Sequence, residues 1–207
     1  MSDNYVYELE GKVYINLTNR CTNECVFCIR NIKNDVTGQD LRLKSEDVSF
    51  EDVIEQLKNF KIEDNEIVFC GYGEPLIKLD LVKKIAKYIK DNYKNTRIRI
   101  NTNGMANMIH KRDVVPELKE NIDAVSVSLN AESDALYNEI SRPGAAYKGA
   151  YSRVKEFIWY CANAGLDTTA TIVTGYKDYK PDVEKCEQIA KNLGAKFRIR
   201  EWLDKGY

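Results

Sequence analysis

The stretch Ile67-Val-Phe-Cys-Gly-Tyr-Gly-Glu-Pro75 runs from an apolar segment directly into a glycine-rich turn. A short apolar run bounded by glycine and proline predicts a buried strand that ends at this turn. The apolar residues that follow recur at helical spacing, and they are Val82, Ile85, Ala86, Ile89 and Tyr93. Arg97–Asn101 then alternates polar and apolar residues as a strand does. A strand, a crossover of helix length and another strand predict a parallel βαβ unit.

The same alternation extends over the whole chain. Further strands are predicted at Lys12–Thr18, Asp123–Leu129, Asp167–Val173 and Lys196–Trp202. Crossovers of helix length predict a parallel sheet with the helices outside it. Because six strands are too few for a closed eight-stranded barrel, we predict an α/β fold, a partial (β/α)6 TIM-like barrel that is open on one side. We expect one domain over residues 1–207, with its site at the carboxyl ends of the strands.

Three helix ends carry local signals. Ser49 and Asp52 resemble a capping box at the start of the helix that precedes Ile67. Pro181 is predicted in the first turn of the last helix, where its missing N–H has no cost. Gly194 is placed to cap the end of that helix.

Charge and hydropathy limit the function classes. The formal net charge of the 207 residues is -1, so there is no global basic field for general DNA binding. The apolar runs are far shorter than the roughly 20 residues of a membrane span. The N-terminal segment Met1–Tyr5 is polar and unlike a signal peptide. We therefore expect a cytoplasmic protein with no membrane partner.

Three of the six cysteines lie in one short loop. Cys21-Thr-Asn-Glu-Cys25-Val-Phe-Cys28 has the spacing C-x3-C-x2-C and follows the first predicted strand. Three thiolates can ligate three irons of a 4Fe–4S cluster and leave the fourth iron open. The alternative is a zinc site, but structural zinc takes four protein ligands. No further cysteine or histidine lies nearby in sequence, since His110 is the only histidine.

The cysteine loop, with Phe27 before its third cysteine, resembles the signature of the radical S-adenosylmethionine (SAM) superfamily. Gly71–Pro75 resembles the Gly-Gly-Glu-Pro motif of that superfamily, Asn101–Gly104 its third strand end and Val125–Asn130 its fourth strand. A finer resemblance is to the small radical SAM proteins associated with TatD-type metal hydrolases. The stretches that carry it are Cys21–Asn31, Phe69–Pro75 and Asn103–Leu118.

The resemblance implies a reaction and two cofactors. A 4Fe–4S cluster on Cys21, Cys25 and Cys28 would reductively cleave S-adenosyl-L-methionine to a 5′-deoxyadenosyl radical. That radical would abstract hydrogen from a substrate that the sequence does not identify. An electron donor such as flavodoxin or ferredoxin would reduce the cluster. The protein's own part is to position the cofactor and exclude water.

The resemblance also implies a set of residues that contact SAM. They are Phe27, Gly71, Gly73, Glu74, Asn103, Ser128, Asn130 and Arg142. The glycines would let the backbone approach the cofactor closely, and Glu74 would fix the turn or compensate the methionine ammonium. Arg142 would reach the cofactor carboxylate or lie in solvent. His110 and Arg30 are candidate substrate residues, with an ordinary surface position as the alternative for His110.

Other polar and sulfur residues have weaker signals. Cys161 and Cys186 fall on apolar helix stripes and are expected in the core. The role of Cys70, beside the glycine motif, stays open. Arg198 and Arg200 share one face of the last strand, where they would meet an anion or protect the edge of the sheet.

Several functional alternatives stay open. The sequence stops at Tyr207, after the last predicted strand, and no cap over the barrel is recognised. We therefore expect a macromolecular substrate or a partner, such as a TatD-type hydrolase, to close the site. Alternatives are an activase of glycyl-radical enzymes, a small deazapurine-type synthase and a non-catalytic iron–sulfur electron-transfer protein. An electron carrier has no need of the nucleoside-binding motifs.

Overall fold

The computed structural model describes residues 3–31, 35–36 and 38–202. The strands are β1 (Val6–Leu9), β2 (Lys12–Ile15), β3 (Asp35–Val36), β4 (Gln39–Asp40), β5 (Glu66–Phe69), β6 (Arg97–Thr102), β7 (Ala124–Ser128), β8 (Asp167–Thr174) and β9 (Lys196–Glu201). The α-helices are α1 (Phe50–Leu57), α2 (Leu79–Asn92), α3 (Ala106–His110), α4 (Val115–Lys119), α5 (Asp134–Ser141), α6 (Ala150–Asn163) and α7 (Val183–Asn192). None of these helices combines the length and apolarity needed to cross a membrane, within the residues described.

One sheet in the order β1-β2-β5-β6-β7-β8-β9 forms the body of the molecule. From β2 to β9 each neighbouring pair is parallel. The prediction of an open partial barrel with six parallel strands is therefore confirmed. The strand β1 is an addition that the sequence analysis missed, and it pairs antiparallel with β2. Glu10 and Gly11 join the two strands with positive φ angles of 51° and 72°, as a type I′ hairpin requires.

The helix-covered face of the sheet is apolar. The register places Ile15, Phe69, Ile100 and Val125 side by side on four strands. All four side chains are fully buried in one core with the flanking helices. Burial of such a side chain contributes roughly 1.5–3 kcal/mol. This layer therefore holds the register, because a slip by one residue would turn these side chains to the other face.

The opposite face, which we call the inner face, is polar. Asn101, Ser126 and Thr169 lie in one row across β6, β7 and β8. Ser128 and Thr171 form the next row toward the carboxyl ends of the strands. Side chains alternate between the two faces of a strand, so the sequence that builds the apolar core also lines the inside of the partial barrel with hydroxyl and amide groups.

The predicted helix ends are mostly confirmed. Ser49 Oγ accepts the N–H of Asp52 at 3.1 Å and caps α1. Gly194 lies just past the end of α7 with a φ angle of 77°. The placement of Pro181 in the first turn of α7 is wrong, because Asp182 is the N-cap and accepts the N–H of Lys185 at 3.1 Å. Pro181 therefore precedes the helix.

The connection from β7 to β8 holds two helices, of which the sequence analysis predicted only α6. The helix α5 has eight residues and buries only Tyr137, Ile140 and Ser141. So short an apolar stripe gives little periodic signal. The short helices α3 and α4 were missed for the same reason. The helix α5 matters for function because its C-terminal end contacts the cysteine loop.

Candidate functional site

The cysteine loop is the segment Asn19–Asn31, which leaves the carboxyl end of β2. It is docked against the end of α5 by backbone hydrogen bonds. Glu24 N–H donates to Arg142 O at 3.1 Å, and Val26 N–H donates to Ile140 O at 2.9 Å. An isolated antiparallel bridge pairs Asn23 with Pro143. These bonds hold the loop across the mouth of the partial barrel.

The three cysteine side chains of this loop are half-buried and lie near one another. Burial, together with the neighbouring Cys28 and Cys21, raises the pKa of Cys25 to about 12. Burial and then Glu74 raise the pKa of Cys21. Paired thiolates in such surroundings need a cation to hold them ionised. Within the described residues, no three His, Cys, Asp or Glu side chains converge on a single ion. A cubane cluster does not require such convergence, because each thiolate binds a different iron.

Arg30 braces the loop from within. Its Nη1 donates to Asn19 O at 2.9 Å, and its Nη2 donates to Asn23 O at 3.1 Å. The guanidinium also lies close enough to Cys21 and Cys25 to favour their thiolate forms. Arg30 therefore has a structural role in addition to the substrate role predicted from the sequence.

The two glycines of the Gly71–Pro75 turn are required by close packing within the protein. A Cβ on Gly73 would lie 2.4 Å from both Thr18 O and Arg20 O, at the start of the cysteine loop. A Cβ on Gly71 would lie 2.0 Å from Asn16 Oδ1. The turn is also joined to the loop by a hydrogen bond of 2.8 Å from Glu74 N–H to Arg20 O. Gly73 therefore makes room for the backbone at the start of the cysteine loop and Gly71 for the side chain of Asn16, and a close approach of a cofactor to these glycines stays a prediction.

Glu74 is the anchor of this arrangement. Its side chain is buried, and burial raises its pKa to about 7, although hydrogen bonds oppose that rise. Oε1 accepts from Leu76 N–H at 3.0 Å and from Thr102 Oγ1 at 2.8 Å. Oε2 accepts from Asn103 N–H at 2.7 Å. Of the two roles considered from the sequence, fixing the turn is the one that these contacts show.

Asn103 continues the network to the first cysteine. Its Nδ2 donates to Thr22 Oγ1 at 2.8 Å and lies 3.6 Å from Cys21 Sγ. Its Oδ1 accepts from Met105 N–H at 3.0 Å. The carboxyl ends of β5 and β6 are thus connected to the cysteine loop through Glu74 and Asn103.

Two predicted residues lie at the end of β7. Ser128 is half-buried on the inner face, opposite Thr171. Asn130 has a φ angle of 62° and is buried. Its Nδ2 donates to Ser141 Oγ at 3.0 Å, and Cys25 Sγ lies 3.6 Å from Ser141 O. Asn130 therefore supports the end of α5, on which the cysteine loop rests, and its contact with SAM stays a prediction.

An aromatic row runs from the cysteine loop to the segments that follow β8 and β9. Phe27, in the cysteine loop, meets Tyr176 edge-on at 6.4 Å between ring centroids. Tyr176 meets Trp202 at 4.9 Å. Tyr176 follows β8 and Trp202 follows β9. The sequence analysis missed both as site residues, although an aromatic residue within two positions of a strand end was the available signal.

The remaining candidates are placed as follows. Arg142 lies in the left-handed region with a φ angle of 44°, and its Nε donates to Glu139 O at 3.3 Å. His110 ends α3, and its Nε2 lies 2.7 Å from Leu76 O, so that nitrogen carries the proton and donates. This bond gives His110 a structural role. Cys161 and Cys186 are fully buried on α6 and α7, as predicted.

Comparison with known proteins identifies the class. The Radical SAM superfamily model matches residues 15–198, so the chain belongs to this superfamily. Members of this superfamily use a 4Fe–4S cluster and SAM.

Individual curated proteins match this chain at low sequence identity. The chain is 32% identical over 132 residues to an uncharacterized protein of Methanocaldococcus jannaschii, a match that covers 62% of this chain and 41% of the relative. It is 26% identical over 199 residues to the dual-specificity RNA methyltransferase RlmN of Buchnera aphidicola, covering 88% of this chain and 51% of that protein. The chain thus spans about half the length of these curated relatives or less.

The fold has relatives among solved structures. The structure of TYW1 with a lysine-pyruvate adduct bound superposes with a TM-score of 0.64 at 12% sequence identity. The superposition covers 93% of this chain and 65% of that chain. At this identity the likeness concerns the fold alone.

Proposed function

We propose that Cys21, Cys25 and Cys28 hold the 4Fe–4S cluster. The observation that carries this proposal is the docking of the three half-buried thiols between the glycine turn and the end of α5. The donor set fits the group, because three thiolates in one loop can serve three irons and leave the fourth open. Asn103 Nδ2, 3.6 Å from Cys21 Sγ, is placed to donate to the sulfur of a bound thiolate.

We also propose how the chain's residues share the binding of SAM. In this proposal the backbone of Gly71–Gly73 and the side chains of Asn103 and Ser128 contact SAM beside the cysteine loop. Glu74 acts through Asn103 and Arg20 as a positioning residue, since both of its oxygens are already bonded within the protein. Asn130 is likewise a positioning residue, because its side chain bonds Ser141 at the end of α5.

Phe27, Tyr176 and Trp202 form the aromatic wall of the proposed adenosine pocket. A face or edge of this row offers the stacking surface that a purine base prefers. The row lies over the ends of β8 and β9, so it would also keep water from that side of the mouth. When bound, the cluster and SAM supply a one-electron cleavage that yields the 5′-deoxyadenosyl radical, which takes hydrogen from the substrate.

Substitution of Tyr176 tests the aromatic wall. Stacking on a base contributes about 1–3 kcal/mol, so Tyr176→Leu should weaken SAM binding by roughly tenfold. The iron content should not change, because Tyr176 is not in the cysteine loop. Calorimetric titration of the reconstituted protein with SAM measures the effect. Trp159→Leu is the matched control, since Trp159 is an exposed aromatic residue on α6. Equal affinities in the two variants would remove Tyr176 from the pocket.

The proposals on the substrate and the partners have weaker support. We propose a macromolecular substrate, and the match to an RNA methyltransferase supports this proposal. A TatD-type hydrolase partner is supported only by the stretches Cys21–Asn31, Phe69–Pro75 and Asn103–Leu118. An external donor such as flavodoxin or ferredoxin would reduce the cluster. The need for reduced thiols supports a cytoplasmic location, and the shared core supports a single domain.

The reaction is tested by release of 5′-deoxyadenosine. Reduced, reconstituted protein with SAM alone should release it slowly, because radical intermediates form productively only in a closed site. A fraction of cell extract that is retained by a size filter should accelerate the release. If only the small-molecule filtrate accelerates it, the macromolecular substrate is wrong while the radical SAM reaction stands. If the protein releases no 5′-deoxyadenosine, either alone or with either fraction of the extract, the proposed reaction itself is wrong.

A further inference from the structure

Tyr137 is a fully buried residue of α5 that has no part in the function proposed above. Its hydroxyl oxygen accepts a hydrogen bond of 3.2 Å from Asn23 Nδ2. Asn23 lies between Cys21 and Cys25 in the cysteine loop. One turn further along α5, the carbonyl oxygen of Ser141 lies 3.6 Å from Cys25 Sγ. The phenol of Tyr137 is therefore packed against the segment that carries these two cysteines.

A chain of hydrogen bonds with a fixed direction leads to this phenol. Met105 N–H can only donate, so it binds Asn103 Oδ1 and leaves Asn103 Nδ2 to donate to Thr22 Oγ1. The Thr22 hydroxyl donates to Asn23 Oδ1 at 3.1 Å, which turns Asn23 Nδ2 toward Tyr137. An amide nitrogen is a donor only, so the Tyr137 oxygen is the acceptor in this bond. The phenolic hydrogen is left for another acceptor.

The neighbours of the phenol determine where that hydrogen points. Burial raises the pKa of Tyr137, so the hydroxyl stays protonated. Hydrogen bonds from Asn23 and Ser141 oppose the rise, because both donate to the phenol oxygen. Cys25 and Cys21 add to the rise, because a thiolate at either position lies close to that oxygen. A buried O–H without an acceptor is costly, and of these four neighbours the two sulfurs are left to accept it.

We propose that Tyr137 tunes the reduction potential of the cluster by donating its hydroxyl hydrogen to the sulfur of Cys25 or Cys21. Reduction adds one negative charge to the cluster, and a hydrogen bond to a ligating sulfur stabilises the more negative state. Loss of the donor should therefore make the cluster harder to reduce. This inference rests on the proposed function, because it requires the cluster on the three cysteines of the loop.

Tyr137→Phe tests the proposal, since it removes the hydroxyl and keeps the ring. The measurement is a potentiometric titration of the reconstituted protein without SAM, followed by the electron paramagnetic resonance signal of the reduced cluster. Reduction should become about tenfold less favourable, which is a shift of about 59 mV to more negative potential for a one-electron couple. Tyr151→Phe is the matched control and should keep the wild-type potential. The buried Tyr151 ring lies 5.5 Å from the ring of Tyr137, but its hydroxyl donates to Ala131 O at 3.1 Å.

A fluorinated tyrosine introduced at position 137 gives a second test, which decides the matter if Tyr137→Phe takes up no cluster. Fluorine makes the phenol a stronger hydrogen-bond donor, so the potential should shift the opposite way, to less negative values. A wild-type potential in either protein, or an equal shift in Tyr151→Phe and Tyr137→Phe, would overturn the inference and leave the cluster assignment standing. A wild type that takes up no iron–sulfur cluster would instead overturn the proposed function, and this inference with it.

Discussion

Cys21→Ala, Cys25→Ala and Cys28→Ala should each abolish the cluster that anaerobic reconstitution introduces into the wild type, about four irons per chain. Each substitution removes the protein ligand of one iron, and no further cysteine lies in the loop to replace it. Release of 5′-deoxyadenosine should fall below detection in all three variants. Iron and sulfide analysis, together with the visible absorption of the reconstituted protein, measures the effect.

Cys161→Ala and Cys186→Ala are the matched controls. Both cysteines are fully buried on helices away from the loop, so they are packing residues. Each variant should keep the iron of the wild type. A loop variant that retains a full cluster would remove that cysteine from the ligand set. Zinc in place of iron in the purified wild type would contradict the assignment of all three.

Gly73→Ala should disrupt the site almost as severely as loss of a cysteine. The added Cβ would lie 2.4 Å from the carbonyl oxygens of Thr18 and Arg20. Backbone atoms cannot yield as a flexible side chain does, so the turn and the cysteine loop must separate. The bond from Glu74 N–H to Arg20 O should break with them. We expect at least a hundredfold loss of 5′-deoxyadenosine release, as for displaced catalytic geometry, and a reduced iron content.

Gly144→Ala is the control for this variant. Gly144 contacts the opposite side of the same loop, where its N–H donates to Thr22 O at 2.9 Å. A Cβ there would meet Thr22 O at 3.5 Å, which is ordinary contact. Gly144→Ala should therefore retain cluster and activity. Circular dichroism establishes that both variants fold. Full cluster content and activity in Gly73→Ala would show that the loop does not depend on this contact.

The sheet was largely predictable because local patterns in the sequence determine its strands. Apolar runs such as Ile67–Phe69 and crossovers of helix length are properties of short windows of sequence, and they give parallel strands directly. The strand β1, which forms a hairpin with β2, was not predicted because its turn, Glu10-Gly11, has only one residue that favours positive φ. The helix α5 was not predicted because its eight residues bury too few side chains to show helical periodicity.

The candidate site was predictable as a set of motifs but not as a set of contacts. The cysteine spacing and the glycine turn stand in the sequence, and the match to the superfamily agrees with them. Nothing in the sequence shows that Gly73 packs on Thr18 and Arg20, because those residues are more than fifty positions away. The row of Phe27, Tyr176 and Trp202 is likewise a product of the fold.

The most direct test of the central claim is the electron paramagnetic resonance spectrum of the reduced cluster, recorded with and without SAM. If the three cysteines of the loop leave one iron open beside the glycine turn, SAM will bind that iron and change the spectrum. The account predicts a clear shift in the wild type and no cluster signal in Cys25→Ala. Identical spectra with and without SAM, at saturating cofactor, would contradict it.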